Sequence, residues 1–334
     1  MKIAVIVPVH NGGEAFTHCL RGICSSDRKP DDVVIVDDGS TDGATDAVVE
    51  LGFRHMRLQN GPLGPAAARN RGVAIAAPEP DLLLFVDADV VIQPGTIGQI
   101  VEIMTREPEI AALFGSYDES PRAQNITSQY KNLLHHFMHQ NSALDASTFW
   151  AGCGAVRYSV FKRFGGFNEN YIHPSIEDIE LGMRLRRAGC HIMLRPELQV
   201  KHLKRWSLRD LVYTDIFRRA IPWSRLLIAE DKIPDELNLQ LAQRLSAVVA
   251  LIIATSIAIS FWHPVGLILF IGSASLFAAL NFGLLRFFYI RRGILFALAA
   301  CVLHIQYQIY SAAAFCLVFF QEKLRKIFAR RTHK

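Results

Sequence analysis

The stretch IAVIVPVHNGG, residues 3–13, decides the fold class of this chain. Its first seven residues, Ile3–Val9, are apolar and mostly β-branched, and an Asn-Gly-Gly turn closes the run. An unbroken apolar run of this length is typical of a strand that is buried on both faces, as in a parallel sheet. We predict that a helix follows this strand, from about Glu14 to Cys24.

Two further apolar runs extend the pattern. Val33–Val36 and Leu82–Val86 each predict another buried strand. Ser40 or Thr41 can cap a helix that begins after the second strand and continues to about Leu51. Strands that alternate with helices predict an α/β fold with a mostly parallel sheet and flanking helices.

Both of these later strands end in acidic residues. Asp37 and Asp38 follow the second strand, and Asp87 and Asp89 follow the third. Because ligands bind beyond the carboxyl ends of the strands in such sheets, we expect these acids to share one crevice. Like charges this close raise one another's pKa unless a cation lies between them. The Asp-Ala-Asp pattern suits Mg²⁺ or Mn²⁺, although Asp37 can equally cap the turn that follows it.

The composition separates a polar N-terminal part from an apolar C-terminal part. Hydrophobic residues make up 51% of the 334 residues, and long apolar stretches begin only after Leu245. Three segments, at about 245–262, 265–285 and 294–320, approach the roughly 20 residues that span a membrane. We therefore predict a catalytic domain at 1–206, amphipathic interfacial helices at 207–240, and transmembrane helices with a basic tail at 241–334. Residues 207–228 can alternatively form an ordinary surface helix.

Charge and cysteine usage exclude some classes of protein. The net charge is only +5, and the basic residues beside the apolar segments suit anionic lipids better than nucleic acid. We therefore expect no nucleic-acid partner. The six cysteines form no CxxC pattern, which indicates reduced thiols and a cytoplasmic catalytic domain. The N-terminal apolar run is too short for a signal peptide.

The third apolar segment, 294–320, conflicts with the positive-inside rule. With a cytoplasmic catalytic domain, a third full span places the basic tail outside. The polar residues His304, Gln306 and Gln308 lie near the middle of this segment. Our hypothesis is that the segment bends back around this polar middle or lies partly in the interface. A plain third span remains the alternative.

Six motifs, in this order along the chain, resemble those of family 2 glycosyltransferases with the GT-A fold. They are VPVHNGG, VDDGSTD, GPAAARNRG, FVDAD, the Gly-rich AGCGAVRYSVFKRFGGFNEN, and EDIELGMRLRRAG. The resemblance covers roughly residues 1–206. No single motif is specific, but the combination is.

The resemblance implies roles for residues at the sugar-donor site. It assigns nucleotide-sugar binding to Pro8, His10, Asp37, Asp38, Arg69 and Asp87. Of these, Asp38 contacts the nucleoside, Arg69 helps hold the nucleotide and Asp87 meets the ribose. Asp89 coordinates a Mg²⁺ or Mn²⁺ ion directly, and His202 reaches either the metal or the diphosphate.

The resemblance also implies an acceptor side. Asp178 is the expected general base, with Glu177 as the competing choice, because a carboxylate in a partly desolvated cleft can accept the acceptor's proton. Gly165 and Gly166 either let the backbone approach a sugar closely or form a plain turn. Trp206 either stacks on the acceptor or anchors the chain at a membrane interface.

The expected activity is inverting transfer of a sugar from a nucleoside diphosphate sugar to a membrane-associated, lipid-linked acceptor. We expect a multi-pass protein of the plasma or inner membrane. A processive polysaccharide synthase is one alternative, but such relatives carry Gln-x-x-Arg-Trp where this chain has His202-Leu203-Lys204-Arg205-Trp206. A non-catalytic nucleotide-binding membrane scaffold is the other, and the intact Asp89 and Asp178 argue against it.

Overall fold

The computed structural model describes residues 1–48, 51–229 and 241–331, which form two compact units. The first, which we call the sheet unit, contains Met1–Gln124 and Met138–Arg205. The second, the helical unit, contains Asn125–Phe137 and Trp206–Lys334. A short segment from the middle of the sheet unit's sequence thus belongs to the helical unit.

The sheet unit is built on a curled, mixed sheet, which has eight strands among the described residues. In chain order the strands are β1 Ile3–Val9, β2 Asp32–Asp37, β3 Arg54–Arg57, β4 Leu82–Val86, β5 Val90–Val91, β6 Ile110–Tyr117, β7 Cys153–Arg157 and β8 His191–His202. Their spatial order is β3-β2-β1-β4-β7-β6-β8-β5. The half β3-β2-β1-β4 is parallel throughout, and β6 pairs with β8 in parallel. The strand β7 runs antiparallel to both of its neighbours, and β5 runs antiparallel to β8.

Helices cover both faces of this sheet, which confirms the predicted α/β fold. They are α1 Gly13–Cys24, α2 Pro65–Ile75, α3 Thr96–Arg106, α5 Tyr158–Arg163 and α6 Glu177–Arg187. The helix α4, Ile126–Gln140, belongs to the helical unit as far as Phe137. Because side chains alternate along a strand, β1 supplies two separate cores. Val5 packs with Phe16 of α1 on one face, and Ile6 packs with Ala68 of α2 and Leu181 of α6 on the other.

The helix predicted from Ser40 or Thr41 to Leu51 is not formed, and that prediction is wrong. Only a single 3-10 turn, Asp46–Val48, is present in this segment, and residues 49 and 50 lie outside the described range. The Asp37 carboxylate accepts hydrogen bonds from the Ser40 amide and the Thr45 hydroxyl. These bonds hold the segment as a turn.

The helical unit contains α7 Leu208–Tyr213, a π-helix Thr214–Ala220, α8 Ile221–Ile228, α9 Leu241–Ser260, α10 Val265–Leu280 and α11 Phe282–Arg331. Of the described helices, α9 and the Phe282–Arg325 part of α11 are long and apolar enough to cross a membrane, judged by length and composition. The helix α10 is apolar but shorter. Residues 230–240 of the predicted interfacial region and the last three residues of the basic tail lie outside the described range.

Two details of the apolar segments differ from the sequence prediction. The segment 265–285 is interrupted, because α10 ends at Leu280. The next residue, Asn281, donates its side-chain Nδ2–H to Ser246 Oγ at 2.9 Å. The segment 294–320 does not reverse at its polar middle. The one non-helical residue inside α11 is Gly293, with φ of 79°.

Internal hydrogen bonds explain why α11 continues through its polar residues. The imidazole of His304 is fully buried and pairs with the Tyr130 hydroxyl at 3.1 Å and with Asn281 Oδ1 at 3.2 Å. Gln308 donates to Gln243 Oε1 at 2.8 Å. Because these groups find partners inside the unit, no break in the helix is needed to satisfy them.

Candidate active site

The strand-end acids lie on one edge of the sheet, as the parallel pairing requires. Strand β1 lies between β2 and β4 and is parallel to both, so the carboxyl ends of all three strands meet there. The Asp38 amide donates to the Val9 carbonyl at 2.8 Å, which ties the loop after β2 to the end of β1. This edge carries Asp37, Asp38, Asp87 and Asp89.

Asp37 is buried and is engaged by its own turn. Its Oδ1 accepts from the Ser40 amide at 2.7 Å, and its Oδ2 accepts from the Thr45 hydroxyl at 3.3 Å and lies 3.5 Å from Arg57 Nη1. Burial favours the protonated acid, but the bonds from Ser40 and Thr45 and the charge of Arg57 outweigh it and lower the pKa of Asp37. These are the contacts of a residue that caps the turn after β2, which is the alternative given for Asp37 from the sequence.

Asp38 joins two loops. Its Oδ1 accepts from the Leu63 amide at 2.6 Å, and its Oδ2 accepts from the Gly64 amide at 2.8 Å. The ring of His10, in the loop after Pro8, pairs through Nδ1 with the Asp38 carbonyl oxygen at 2.8 Å. These bonds fix the loop at the end of β1 against the segment that leads into α2.

Arg69 of α2 connects the two acidic motifs of the sheet unit. Its Nη2 lies 2.7 Å from Asp87 Oδ1, and its Nη1 lies 2.8 Å from Glu177 Oε1. The Phe167 ring lies 5.2 Å from the guanidinium carbon. The Nε atom is buried and has no hydrogen-bond acceptor within the described part of the chain.

Asp89 faces His202 across the pairing of β5 with β8. The distance from Asp89 Oδ2 to His202 Nε2 is 3.6 Å, and the Leu203 amide donates to the Asp89 carbonyl at 2.9 Å. Burial raises the pKa of Asp89, but the close approach and charge of His202 and the charge of Lys204 bring it below its ordinary value. The Tyr117 ring stacks on His202, with ring centroids 4.2 Å apart.

The side chains of Asp89 and His202 fit a hard divalent ion that is also coordinated by a substrate phosphate. Within residues 1–48, 51–229 and 241–331, no cluster of three or more His, Cys, Asp or Glu side chains can hold a metal. Asp89 and His202 supply one carboxylate and one imidazole. Mg²⁺ commonly takes only one or two carboxylates and completes its shell with substrate phosphates and water. These two side chains therefore suffice if a diphosphate supplies the remaining oxygens.

Asp178 lies in the first turn of α6 and is partly exposed. Its Oδ2 accepts from the Ala151 amide at 3.0 Å, and its Oδ1 accepts from the Ile179 amide at 2.8 Å. Its enclosure and the adjacent Glu177 charge raise its pKa to about 7, although Arg69 and the two amides act in the opposite direction. A carboxylate of this kind can take up a proton near neutral pH.

The glycines predicted at the acceptor side lie against α2 and α5. Gly165 and Gly166 have positive φ values of 74° and 70°, which favour glycine. Together with Asn70 and Lys162 they line a shallow cavity of about 240 Å³, and none of the strand-end acids is among its lining residues. The structure thus brings these glycines together with α2, rather than with Asp89.

Trp206 belongs to the helical unit. Its carbonyl oxygen accepts from Asn125 Nδ2 at 2.7 Å and from the Thr127 hydroxyl, and its amide donates to Ser128 Oγ at 2.7 Å. The side chain is 5% exposed. Its surroundings are therefore those of a packed residue that joins the start of α4 to the chain before α7.

Three residues that the sequence analysis did not single out organise this site. Asn70 binds both the amide and the carbonyl of Phe167, and Arg184 donates to the carbonyls of Phe164 and Gly166. Tyr117 is the ring that covers His202. For Asn70 the sequence offered one indication, its position directly after Arg69 in the GPAAARNRG motif.

Comparison with known proteins gives consistent results for sequence and structure. Residues 4–165 match the family described as glycosyl transferase family 2. The N-acetylglucosaminyl-diphospho-decaprenol L-rhamnosyltransferase of Mycobacterium tuberculosis is 28% identical over 238 residues, which are 61% of this chain and 77% of that protein. The O-antigen chain rhamnosyltransferase of Salmonella typhimurium is 23% identical over 236 residues, 67% of this chain and 74% of that one.

Two solved structures share the fold. A mannosyltransferase from Pyrobaculum calidifontis, in complex with GDP-Man and Mn²⁺, has a TM-score of 0.58 at 18% identity and covers 94% of this chain and 87% of its own. TarS residues 1–349 of S. aureus, in complex with UDP-GlcNAc, has a TM-score of 0.54 at 18% identity, with 93% and 90% covered. These similarities confirm a GT-A-type fold.

Proposed function

The family match, the rhamnosyltransferase relatives and the GT-A-type fold support a family 2 glycosyltransferase, and from this premise we propose the following reaction. The chain transfers one sugar, with inversion, from a nucleoside diphosphate sugar to a lipid-linked acceptor at a membrane. One observation carries the proposal. Arg69 contacts Asp87, beside the donor-side motif, and Glu177, beside the expected base, at 2.7 Å and 2.8 Å. Both halves of a transfer site therefore meet at one residue.

The donor side is assigned to the loops at the carboxyl ends of β1, β2 and β4. Pro8 and His10 are assigned to the surface for the base, the buried Asp37 and Asp38 support the loops behind it, and Asp87 is assigned to the ribose side. Asp38 shapes this surface through the amides of residues 63 and 64.

Asp89 and His202 are the residues that hold the divalent ion together with the diphosphate. Once bound, Mg²⁺ or Mn²⁺ neutralises charge on the departing diphosphate. Asp89 is suited to this role because its carboxylate supplies the oxygen donors that a hard divalent ion prefers. Tyr117 fixes the orientation of the His202 ring by stacking on it.

The acceptor side is assigned to Asp178. Both of its oxygens accept backbone N–H bonds, which fix the carboxylate, while its partial exposure leaves it reachable by an acceptor hydroxyl or phosphate. It takes the proton as the acceptor oxygen attacks the anomeric carbon. Direct attack opposite the departing diphosphate inverts the configuration at that carbon.

A lipid-linked acceptor and a multi-pass membrane anchor are supported by the helical unit. Two of its helices meet the length and composition of a membrane span. The segment α7 to α8 exposes Tyr213 and Phe217, and Arg218 lies over the Tyr213 ring at 5.8 Å. Exposed aromatic rings beside basic residues suit the headgroup region of a bilayer. The names of the two rhamnosyltransferase relatives point to a polyprenyl diphosphate and to a polysaccharide.

A donor screen with Asp89→Asn tests this function. The purified full chain in detergent is given UDP-GlcNAc, GDP-mannose or a nucleoside diphosphate rhamnose with Mn²⁺, and nucleotide release is measured. We expect turnover with one donor, loss of that turnover in EDTA, and a drop of about 100-fold or more in Asp89→Asn. The control Asp145→Asn removes an exposed carboxylate that pairs with Arg186, and it keeps full turnover.

Full activity of Asp89→Asn or in EDTA would contradict the metal assignment. Release with none of the three donors would favour the non-catalytic scaffold. A long polymer among the products would favour the processive synthase.

A further inference from the structure

The consecutive acids Glu177 and Asp178 have opposite surroundings. Glu177 is 4% exposed, its Oε1 is bound to Arg69, and its Oε2 accepts from the Ser175 amide at 2.9 Å. Asp178 is partly exposed and is held only by the amides of Ala151 and Ile179 among the hydrogen bonds of its side chain in the described structure. Of the two carboxylates, Asp178 is therefore the one that a substrate can reach.

The cation beside Glu177 is fixed in place. Arg69 is 4% exposed and bridges Asp87 and Glu177 through its two terminal nitrogens. Its helix α2 lies directly against the sheet, since a Cβ on Gly72 would come within 2.6 Å of Ile6 Cγ2. The backbone at Arg69 is thus held by this packing, and its guanidinium is held by the two ion pairs.

We infer that Arg69 and Glu177 are positioning residues whose buried ion pair governs the protonation of the Asp178 carboxylate. Through the same guanidinium, Glu177 beside the base is also tied to Asp87 on the donor side. This inference rests on the proposed function, in which Asp178 is the base.

The charges that face Asp178 determine the direction of each effect. Its enclosure and Glu177 raise its pKa, and Arg69 and the amides of Ala151 and Ile179 lower it, with a balance at about 7. In Glu177→Gln the negative neighbour disappears while Arg69 stays, so the pKa of Asp178 falls. In Arg69→Gln a positive charge that lowers the pKa of Asp178 disappears, so the pKa of Asp178 rises.

The titration is measured without substrate by carbon NMR of the full chain in detergent, with aspartate and glutamate labelled at their side-chain carboxyls. The Asp178 signal is identified by its absence in Asp178→Asn. We expect it to titrate near neutral pH in the wild type and about one pH unit or more lower in Glu177→Gln. We expect the Asp178 titration to move to higher pH in Arg69→Gln. If one variant does not fold, the other still tests the inference by its direction.

The same shift should appear in the transfer reaction. A base acts only when ionised, so kcat/KM falls as pH drops through the pKa of Asp178 in the free enzyme. The acid limb of Glu177→Gln should therefore move to lower pH by the same amount. The control Glu180→Gln breaks the ion pair with Arg184, one turn further along α6, and leaves the limb where it is.

Different failures of the experiment have different meanings. An Asp178 titration that is unchanged in Glu177→Gln overturns the inference and leaves the base assignment standing. A folded Glu177→Gln without transfer at any pH also overturns it and makes Glu177 the base. Transfer that persists in Asp178→Asn overturns the proposed base itself, which the substrate-free titration does not depend on.

Discussion

Asp38 binds the backbone of a distant loop with both of its carboxylate oxygens. The amides of Leu63 and Gly64 lie 2.6 Å and 2.8 Å from them. The two segments also approach closely through glycines, since a Cβ on Gly61 would lie 3.1 Å from the Asp38 carbonyl carbon. Asp38, which its motif predicts to contact the nucleoside, thus also accepts the hydrogen bonds that hold two loops together.

We predict that Asp38→Asn destabilises the chain by about 1–3 kcal/mol, because one buried N–H loses its acceptor and meets an amide NH₂. Donor affinity should fall with it, since the loop at the base-binding surface loosens. Denaturant unfolding and calorimetric titration of the donor measure the two effects. Asp42→Asn is the control, because Asp42 also accepts backbone amides, those of Gly13 and Ala44, but is exposed. Equal losses in both variants would contradict the prediction.

The limits of sequence reasoning are clearest at Arg69. Its motif resembles one that holds the nucleotide, and the sequence analysis predicted that role. The terminal nitrogens lie instead on Asp87 and Glu177, which are 18 and 108 positions away along the chain. No periodicity or local motif contains a contact across 108 positions, so the bridge follows only from the folded sheet unit. The nucleotide role of Arg69 stays a prediction.

Helix α6 positions the expected base and is packed tightly against the segment before β7. Gly182, in the middle of the helix, has no room for a side chain, since a Cβ there would lie 2.1 Å from the Phe149 amide nitrogen. Two residues further along the same segment, Ala151 donates its amide to Asp178. The close packing of Gly182 on Phe149 therefore lies beside the hydrogen bond from Ala151 that orients Asp178.

We predict that Gly182→Ala destabilises the chain by about 1–3 kcal/mol through overpacking. Transfer should decrease more than stability alone explains, because α6 must shift away from Ala151. The control is Gly98→Ala in α3, where the nearest atom to a new Cβ is Arg28 Cβ at 3.8 Å, an ordinary contact. That change should stabilise the chain by about 0.5–1 kcal/mol through helix propensity. Thermal unfolding and transfer assays of both variants decide the matter, and a neutral Gly182→Ala would refute it.

Elements with strong local patterns were predicted well, and those that depend on distant partners were not. The strands β1, β2 and β4 and the helix α1 follow from apolar runs and turn residues, and the structure confirms them. The π-helix Thr214–Ala220 was not foreseen. Asp215 within it is buried and pairs with Lys131 at 2.6 Å and with the Tyr310 hydroxyl at 2.8 Å. Such a local geometry depends on helices that lie far apart in the sequence.

At the scale of the whole molecule, the proposed membrane insertion of α9 makes a definite statement about topology. The turn between α9 and α10 contains the exposed residues Phe261, Trp262 and His263. If α9 spans the bilayer and the catalytic domain is cytoplasmic, this turn lies on the outer side. The predicted third span, 294–320, does not end before the basic tail, because α11 continues as one helix from the kink at Gly293 to Arg331.

We predict that an impermeant maleimide labels His263→Cys in intact cells, in a chain whose six cysteines have been replaced. Asp145→Cys, at an exposed position of the sheet unit, should react only after the cells are permeabilised. Protection of both positions until permeabilisation would argue against a crossing by α9. The test needs no substrate and is independent of the enzymatic assays.

The segment Asn125–Phe137, which the helical unit takes from the middle of the sheet unit's sequence, also matters during translation. Tyr130 and its partner His304 are 174 positions apart. At roughly 5–20 residues per second, the ribosome needs on the order of ten seconds between the two. All eight described strands precede His304 in the sequence and are therefore synthesised before it. Until His304 follows, Tyr130 lacks this hydrogen-bond partner. We therefore expect the nascent chain to be most open to misassembly during that interval.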